Sequence, residues 1–254
     1  MKVWVTSDIH IDFAKNLTWF EALSDLDYTE DIMIIAGDIT HNLDKMQRLF
    51  RLLQSKFFKI LFVPGNHDLW LLQSSAKDSL QKLAQIITLT QDEGIQTTPF
   101  TIDNLTIVPL FSWYDFSFGL PSKNLKTSWR DFEACQWPMD LTKLTRLFLK
   151  MNVAHLQLQN QHLISFSHFL PFSSLIPSFV PQKVKQLLPV FGSQKLGEQL
   201  QQLKPDMHIY GHSHLNRKVT ENGTTFLNNA FGYPYEERIC GKQLLCVYEN
   251  GGWV

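Results

Sequence analysis

Three short apolar runs punctuate the first quarter of the chain: Lys2-Val3-Trp4-Val5-Thr6, Ile32-Met33-Ile34-Ile35-Ala36 and Lys59-Ile60-Leu61-Phe62-Val63. The second contains no polar residue, which marks a strand buried on both faces. Between the second and third, Leu43, Met46, Leu49, Phe50 and Leu53 recur at helical spacing, so 43–56 is predicted to be an amphipathic helix. Residues 76–89 read as another. Further on, Leu105 to Leu110, Leu163 to Ser167 and Met207 to Tyr210 read as strands. Helices are expected over 140–160 and 193–203. Residues 169–192 carry Pro171, Pro177, Pro181 and Pro189, so they are expected to form a loop with short helices at most. Arg217 to Thr220 and Thr224 to Asn228 flank Asn222-Gly223, a hairpin turn signal, and Leu244 to Tyr248 is the last strand. Strands alternating with helices predict an α/β fold built on mostly parallel sheet.

The polar positions that interrupt this pattern are of one kind. Each early strand ends in a loop bearing Asp, Asn or His: Ser7-Asp8-Ile9-His10, Gly37-Asp38 and Pro64-Gly65-Asn66-His67-Asp68. Later strands end at His168 and at Gly211-His212-Ser213-His214. In an extended segment residues i and i+2 point the same way, so each Asp-x-His or His-x-His pair is expected to reach one small volume. In α/β sheets, sites form at the carboxyl ends of the strands, which puts all these loops on one edge. Asp8 and Asp38, the Asn66 amide and the five imidazoles of His10, His67, His168, His212 and His214 would be costly to bury there unpaired. Mixed nitrogen and oxygen donors suit Mn, Fe, Zn or Co. The donors suffice for two ions if one carboxylate bridges.

Composition narrows the classes. Lys and Arg number 23 against 24 Asp and Glu, a balance that argues against non-specific binding to a polyanion. Cys135, Cys240 and Cys246 lack Cys-x-x-Cys spacing and read as reduced thiols. No leader and no apolar run of membrane-spanning length is visible, so a cytoplasmic protein without membrane contact is expected. No linker or repeat interrupts the pattern, and 1–254 is expected to be a single domain.

The five blocks Asp8-x-His10, Gly37-Asp38, Gly65-Asn66-His67-Asp68, His168 and Gly211-His212-Ser213-His214, in this order, resemble those of the calcineurin-like metallophosphoesterases. The resemblance runs from residue 6 to residue 214, and more narrowly it is to a bacterial and plant-like group of that superfamily. It implies a four-layer α/β/β/α sandwich with a dinuclear centre of two divalent or trivalent transition-metal ions. One ion would take Asp8, His10, Asp38 and His214, the other Asp38, Asn66, His168 and His212, with Asp38 bridging. A hydroxide between the cations would attack phosphorus. His67 would contact the phosphate and protonate the leaving oxygen. Asp68 would orient His67 or bind its neighbours, or else cap the following helix.

The resemblance has departures. The Asp-Arg-Gly that follows the second block in protein phosphatases and dinucleoside-polyphosphate hydrolases is replaced by Asp38-Ile39-Thr40-His41. His41 stands where purple acid phosphatases carry a metal-binding Tyr, and it is a candidate extra ligand beside the alternative of a loop His. His155, His162 and His208 read as structural or surface residues. The aromatic stretch 112–138 is expected to pack as a hydrophobic lid over the sandwich, the alternative being a cap that lines a pocket and stacks an organic group; Trp70, Trp113 and Tyr114 are the residues placed nearest the metals. The function expected is a metal-dependent phosphodiesterase acting on a small or nucleotide-like phosphoester. The alternatives are a phosphomonoesterase, or a metal-free binding scaffold on the same fold, like the retromer subunit that has lost ligand His residues. A nuclease is disfavoured by the charge balance, and nucleic acid is not an expected partner.

Overall fold

The computed structural model describes residues 1–254. In chain order the elements are β1 (Lys2–Thr6), α1 (Ala14–Glu21), β2 (Ile32–Ala36), α2 (Leu43–Gln54), β3 (Lys59–Val63), α3 (Ser79–Asp92), β4 (Phe100–Ile102) and β5 (Leu105–Pro109). There follow α4 (Lys123–Ser128), α5 (Asp131–Ala134), α6 (Leu141–Asn152), β6 (His162–Phe166), α7 (Gln182–Lys185) and α8 (Gln194–Leu203). The chain closes with β7 (Met207–Tyr210), β8 (Arg217–Glu221), β9 (Thr224–Asn228), β10 (Leu245–Glu249) and β11 (Gly252–Trp253).

Two sheets result, ordered β11-β10-β1-β2-β3 and β4-β5-β6-β7-β9-β8. Strands β1, β2 and β3 are parallel, as are β5, β6, β7 and β9; antiparallel pairing is confined to the β10–β11 side of the first sheet and to β4 and β8 at the edges of the second. Alternation along the strands explains the layering. Val3, Val5, Ile34 and Leu61 of one sheet pack against Ile107, Ile164, Phe166 and Ile209 of the other. The opposite faces receive helices: Met33, Ile35 and Phe62 meet Met46, Leu49, Phe50 and Ile86. On the far side, Val108, Leu163 and Tyr210 meet Leu149, Leu196 and Leu200. This is the expected α/β/β/α sandwich. The two sheets are joined where β1 ends: the Ser7 N–H donates to the Asn229 carbonyl at 3.2 Å, and the Phe231 N–H donates to the Ser7 carbonyl at 2.8 Å.

Differences from the periodicity reading have local causes. Helix α3 begins at Ser79 because Asp78 caps it, accepting from the Gln81 N–H at 2.8 Å. Helix α6 stops at Asn152 rather than 160, since the Asn152 side chain bonds the Phe111 N–H and carbonyl, each at 2.8 Å. Helix α1 was not expected; Phe13 gives it no side-chain cap, and it is held by Phe20, whose ring lies 5.0 Å from that of Phe231. The Asn222-Gly223 hairpin forms as read, both residues at positive φ. No helix is long and apolar enough to cross a membrane.

Candidate metal centre

The polar loops at the carboxyl ends of β1, β2, β3, β6 and β7 converge on one edge where the two sheets meet. Local backbone geometry aims their side chains. Asp8, His10, Asp38, His212 and His214 all lie at φ between 45° and 66°. Non-glycine residues seldom adopt this left-handed region, and five at one place is the concentrated strain found at functional sites. The i, i+2 pairs therefore do not sit in extended strand, as the spacing suggested; they sit in tight turns beyond it. His212 and His214 consequently point to different places. His212 Nδ1 faces His168 Nε2 at 3.2 Å, while His214 Nε2 faces His10 Nε2 at 3.2 Å.

Two nests of donor atoms result. In one, Asp8, His10 and His214 gather, with His214 Nε2 also 3.2 Å from Asp8 Oδ1. In the other, His168 Nε2 lies 3.0 Å from Asn66 Oδ1, 3.2 Å from His212 Nδ1 and 3.4 Å from Asp38 Oδ2. Asp38 also belongs to a group with His10 and His67, and so stands between the nests. Ligands about 2.1 Å from a cation lie about 3.0 Å apart in an octahedron and about 3.4 Å apart in a tetrahedron, which is the observed range. The charge balance agrees. Asp8, Asp38, Asp68 and Asp131 are all buried, and the ionic contacts of Asp8 and Asp38 are to His alone. Burial, with Asp68 and Asp8 behind it, pushes the Asp38 carboxyl well above its usual range. Burial works against the Asp8 carboxylate too, but His214, His168 and His10 hold it well below that range. The donor set thus fits transition-metal cations.

Close packing leaves no slack. A Cβ on Gly65 would lie 2.1 Å from Asp38 Oδ1, and one on Gly37, at φ 84°, would lie 2.5 Å from His168 Nδ1. Gly65→Ala is accordingly expected to displace Asp38, cost about 1–3 kcal/mol in stability, and weaken metal uptake. Thermal melting of the metal-free protein and a cobalt titration check the two effects separately; parent-like values in both would refute the packing argument.

Around the nests, backbone and side chains fix the donors. The His168 Nδ1 lies 2.9 Å from the Ala36 carbonyl, and His212 Nε2 lies 3.0 Å from that of Val190. Each contact leaves the other ring nitrogen to face inward. The Asp8 carboxylate accepts from the His212 N–H at 3.0 and 3.1 Å, tying β1 to β7. Asp68 does not reach His67. Its carboxylate accepts from the N–H groups of Gly65, Asp38, Ile39 and Thr40 at 2.8 to 2.9 Å, and so knits the β2 and β3 loops. Burial pushes that carboxyl up to about 6 against those four donors.

His67 stands over the nests. Its N–H donates to Asp38 Oδ1 at 2.9 Å, its ring stacks on Trp70 with centroids 3.6 Å apart, and its Nε2 lies 3.4 Å from the Tyr233 hydroxyl. Burial, then His214 and His168, lowers its pKa to about 3. The His67 side chain lines a cleft of about 430 Å³ with Trp70, Trp129, Arg130, Val184, Leu187 and Tyr233. His41 is not in either nest; its Nδ1 lies 3.4 Å from Asp12 Oδ2. Of the aromatic residues expected near the metals, Trp70 is there. Trp113 and Tyr114 instead lie in the core, against Phe169 and Phe148, and Trp129 lines the cleft. His208 is buried between Ser165 and Ser167, as a structural histidine.

Sequence reasoning missed three residues. Glu236 Oε2 lies 2.7 Å from His214 Nδ1, Tyr233 stacks on His10 at 4.4 Å, and Asp131 bonds Asn66. Burial opposes protonation of His214, but Asp8 and Glu236 push it up to about 9. A signal for the first two existed: β9, like the earlier strands, runs into a polar, Gly-bearing loop, Asn228-Asn229-Ala230-Phe231-Gly232-Tyr233.

Two parallel-centred sheets, sandwiched by helices and carrying paired Asp/His nests at their shared edge, define a metallophosphoesterase class of protein. The family model for calcineurin-like phosphoesterases matches residues 1–216, and the chain belongs to that family. Among individual proteins it is similar to the [acyl-carrier-protein] phosphodiesterase PptH of Mycobacterium tuberculosis, 30% identical over 136 residues. That match covers 49% of this chain and 41% of PptH, so it spans less than half the length of that relative. The crystal structure of the phosphopantetheinyl hydrolase PptH from the same organism shares the fold, with a TM-score of 0.81 over 98% of both chains at 23% identity. Protein L509 of Acanthamoeba polyphaga mimivirus is 24% identical over 91% of this chain and 90% of its own.

Proposed function

We propose that the chain is a dinuclear-metal-dependent phosphodiesterase. The observation that carries this reading is the pair of donor nests with Asp38 standing between them, beside the cleft. Asp8, His10, Asp38 and His214 would hold one ion, and Asp38, Asn66, His168 and His212 the other. Mn, Fe and Zn are the metals the donors favour. Two such cations supply Lewis acidity and a water nucleophile active near neutral pH.

The protein's own residues do the rest. Asp38 sets the spacing of the nests. Asp68 holds the Asp38 and Gly65 backbones in place, so it is a positioning residue. His67 presents Nε2 to the cleft; an anionic phosphoryl group beside it favours the protonated ring, and that proton passes to the leaving oxygen. Trp70, by stacking, keeps the imidazole at one angle. The apolar side of the cleft, with Trp129, Val184 and Leu187, suits a substrate with an organic arm on the phosphate. Similarity to PptH makes the phosphopantetheinyl group of an acyl carrier protein the first such arm to test. The three free cysteines fit a reducing, cytoplasmic setting, and 1–254 is read as one functional unit.

The test compares three substrates with the manganese-reloaded protein: phosphopantetheinylated acyl carrier protein, an aryl phosphodiester and an aryl phosphomonoester. Mass spectrometry of the carrier protein is expected to show loss of the phosphopantetheinyl group, and the aryl diester to be cleaved faster than the monoester. A faster monoester would overturn the diesterase assignment. An intact carrier protein with diester cleavage would overturn the carrier substrate alone.

A further inference from the structure

Asp131 lies on α5, in the aromatic stretch between the sheets' strands, and is buried. Its carboxylate collects three side-chain donors. Oδ1 accepts from Asn66 Nδ2 at 2.8 Å and Trp70 Nε1 at 2.7 Å; Oδ2 accepts from Trp129 Nε1 at 2.7 Å. None of the three is a Lys or Arg, so the arrangement does not neutralise the charge. It orders what surrounds it.

The consequence is largest at Asn66. A carboxylate only accepts, so the Asn66 amide must turn its N–H₂ toward Asp131. Its oxygen is then forced to the opposite side, where Oδ1 lies 3.0 Å from His168 Nε2 among the donors of the second nest. The reverse orientation would present N–H₂ to that nest and lose a ligand. The two indoles extend the effect. Trp70, bonded to the same Oδ1, stacks on His67 at 3.6 Å, and Trp129 meets His212 edge-on at 5.8 Å.

We propose that Asp131 is a positioning residue for the metal centre: its one carboxylate orients the Asn66 amide toward the second ion and, through Trp70 and Trp129, fixes the rings over His67 and His212. This rests on the two-ion reading above. Outer hydrogen bonds of this kind are worth about 10–100-fold in metal affinity. The inference also gives the cap a purpose beyond covering apolar surface, since it delivers the residue that makes Asn66 a ligand.

The experiment is a cobalt titration followed by visible absorption, with the ion count determined after gel filtration. Asp131→Ala is expected to take the first cobalt ion with parent affinity and the second 10- to 100-fold more weakly. Asn66→Asp supplies the control for a merely structural role. Its symmetric carboxylate needs no orienting, so adding Asp131→Ala to Asn66→Asp is expected to leave second-ion affinity unchanged or tighter. If Asp131→Ala does not fold, Asp131→Leu, close to Asp in shape and without an acceptor, takes its place in the same cycle, and the same pattern is expected. Equal weakening in both backgrounds, or no weakening in either, overturns the inference while the parent still binds two ions. A parent that binds fewer than two ions overturns the two-ion reading and this inference with it.

Discussion

Asp38→Asn is expected to abolish hydrolysis, lowering kcat by at least about a thousandfold, and to leave at most one ion bound. The carboxylate stands between the nests, 3.4 Å from His168 Nε2 on one side and grouped with His10 and His67 on the other. An amide has one acceptor oxygen and no charge, so it cannot serve two cations. The change would also remove like-charge repulsion: Asp38 is buried beside Asp68 and Asp8, and these neighbours together with burial raise its pKa. Metal-free Asp38→Asn is therefore expected to melt at or above the parent temperature, while the added metal that stabilises the parent does far less for the variant. Metal-dependent melting and ion counting read both sides. A variant that binds two ions and retains parent activity would remove Asp38 from its shared role.

His67→Ala is expected to leave both ions bound and to lower kcat by about 10²–10⁴. The imidazole bears on the centre through its N–H to Asp38 and its stack on Trp70, not through either nest's closest donor contacts. Its effect should depend on the leaving group. An alkyl alkoxide needs a proton to depart, while a nitrophenolate does not. The loss is thus expected to be large on an alkyl phosphodiester and to shrink on a nitrophenyl one. An equal loss on both would assign His67 to binding the phosphoryl group and not to proton transfer.

Much of the scaffold was legible because its signal is local. Ile32 to Ala36 is apolar throughout, and only a strand covered on both faces uses such a run. The loop after each such run carried the ligand-type residues, so the candidate donors could be named before their geometry was known. What periodicity could not give was the turn geometry: the positive φ of Asp8, His10, Asp38, His212 and His214 sends neighbouring imidazoles to different nests, whereas extended spacing implied a common one. The cap was the least legible part. Asp131 acts on Asn66 across 65 residues of sequence, in a stretch whose short helices are set by tertiary hydrogen bonds and not by an apolar repeat. The same stretch misled for Trp113 and Tyr114, whose size suits the core as well as a cleft wall. The sequence leaves Asp68 to orient His67, bind its neighbours or cap the next helix; only the tertiary structure shows that its carboxylate goes to four backbone N–H groups of the β2 and β3 loops.

The most direct test of the central claim measures ions and catalysis in one sample. The protein is stripped of metal, reloaded with manganese and freed of excess; manganese per chain is then counted and hydrolysis of an aryl phosphodiester is followed. The account predicts two ions per chain and an activity that chelation removes and manganese restores. Fewer than two ions per chain, with no hydrolysis at any manganese concentration, would contradict it and leave a binding scaffold on the phosphoesterase fold.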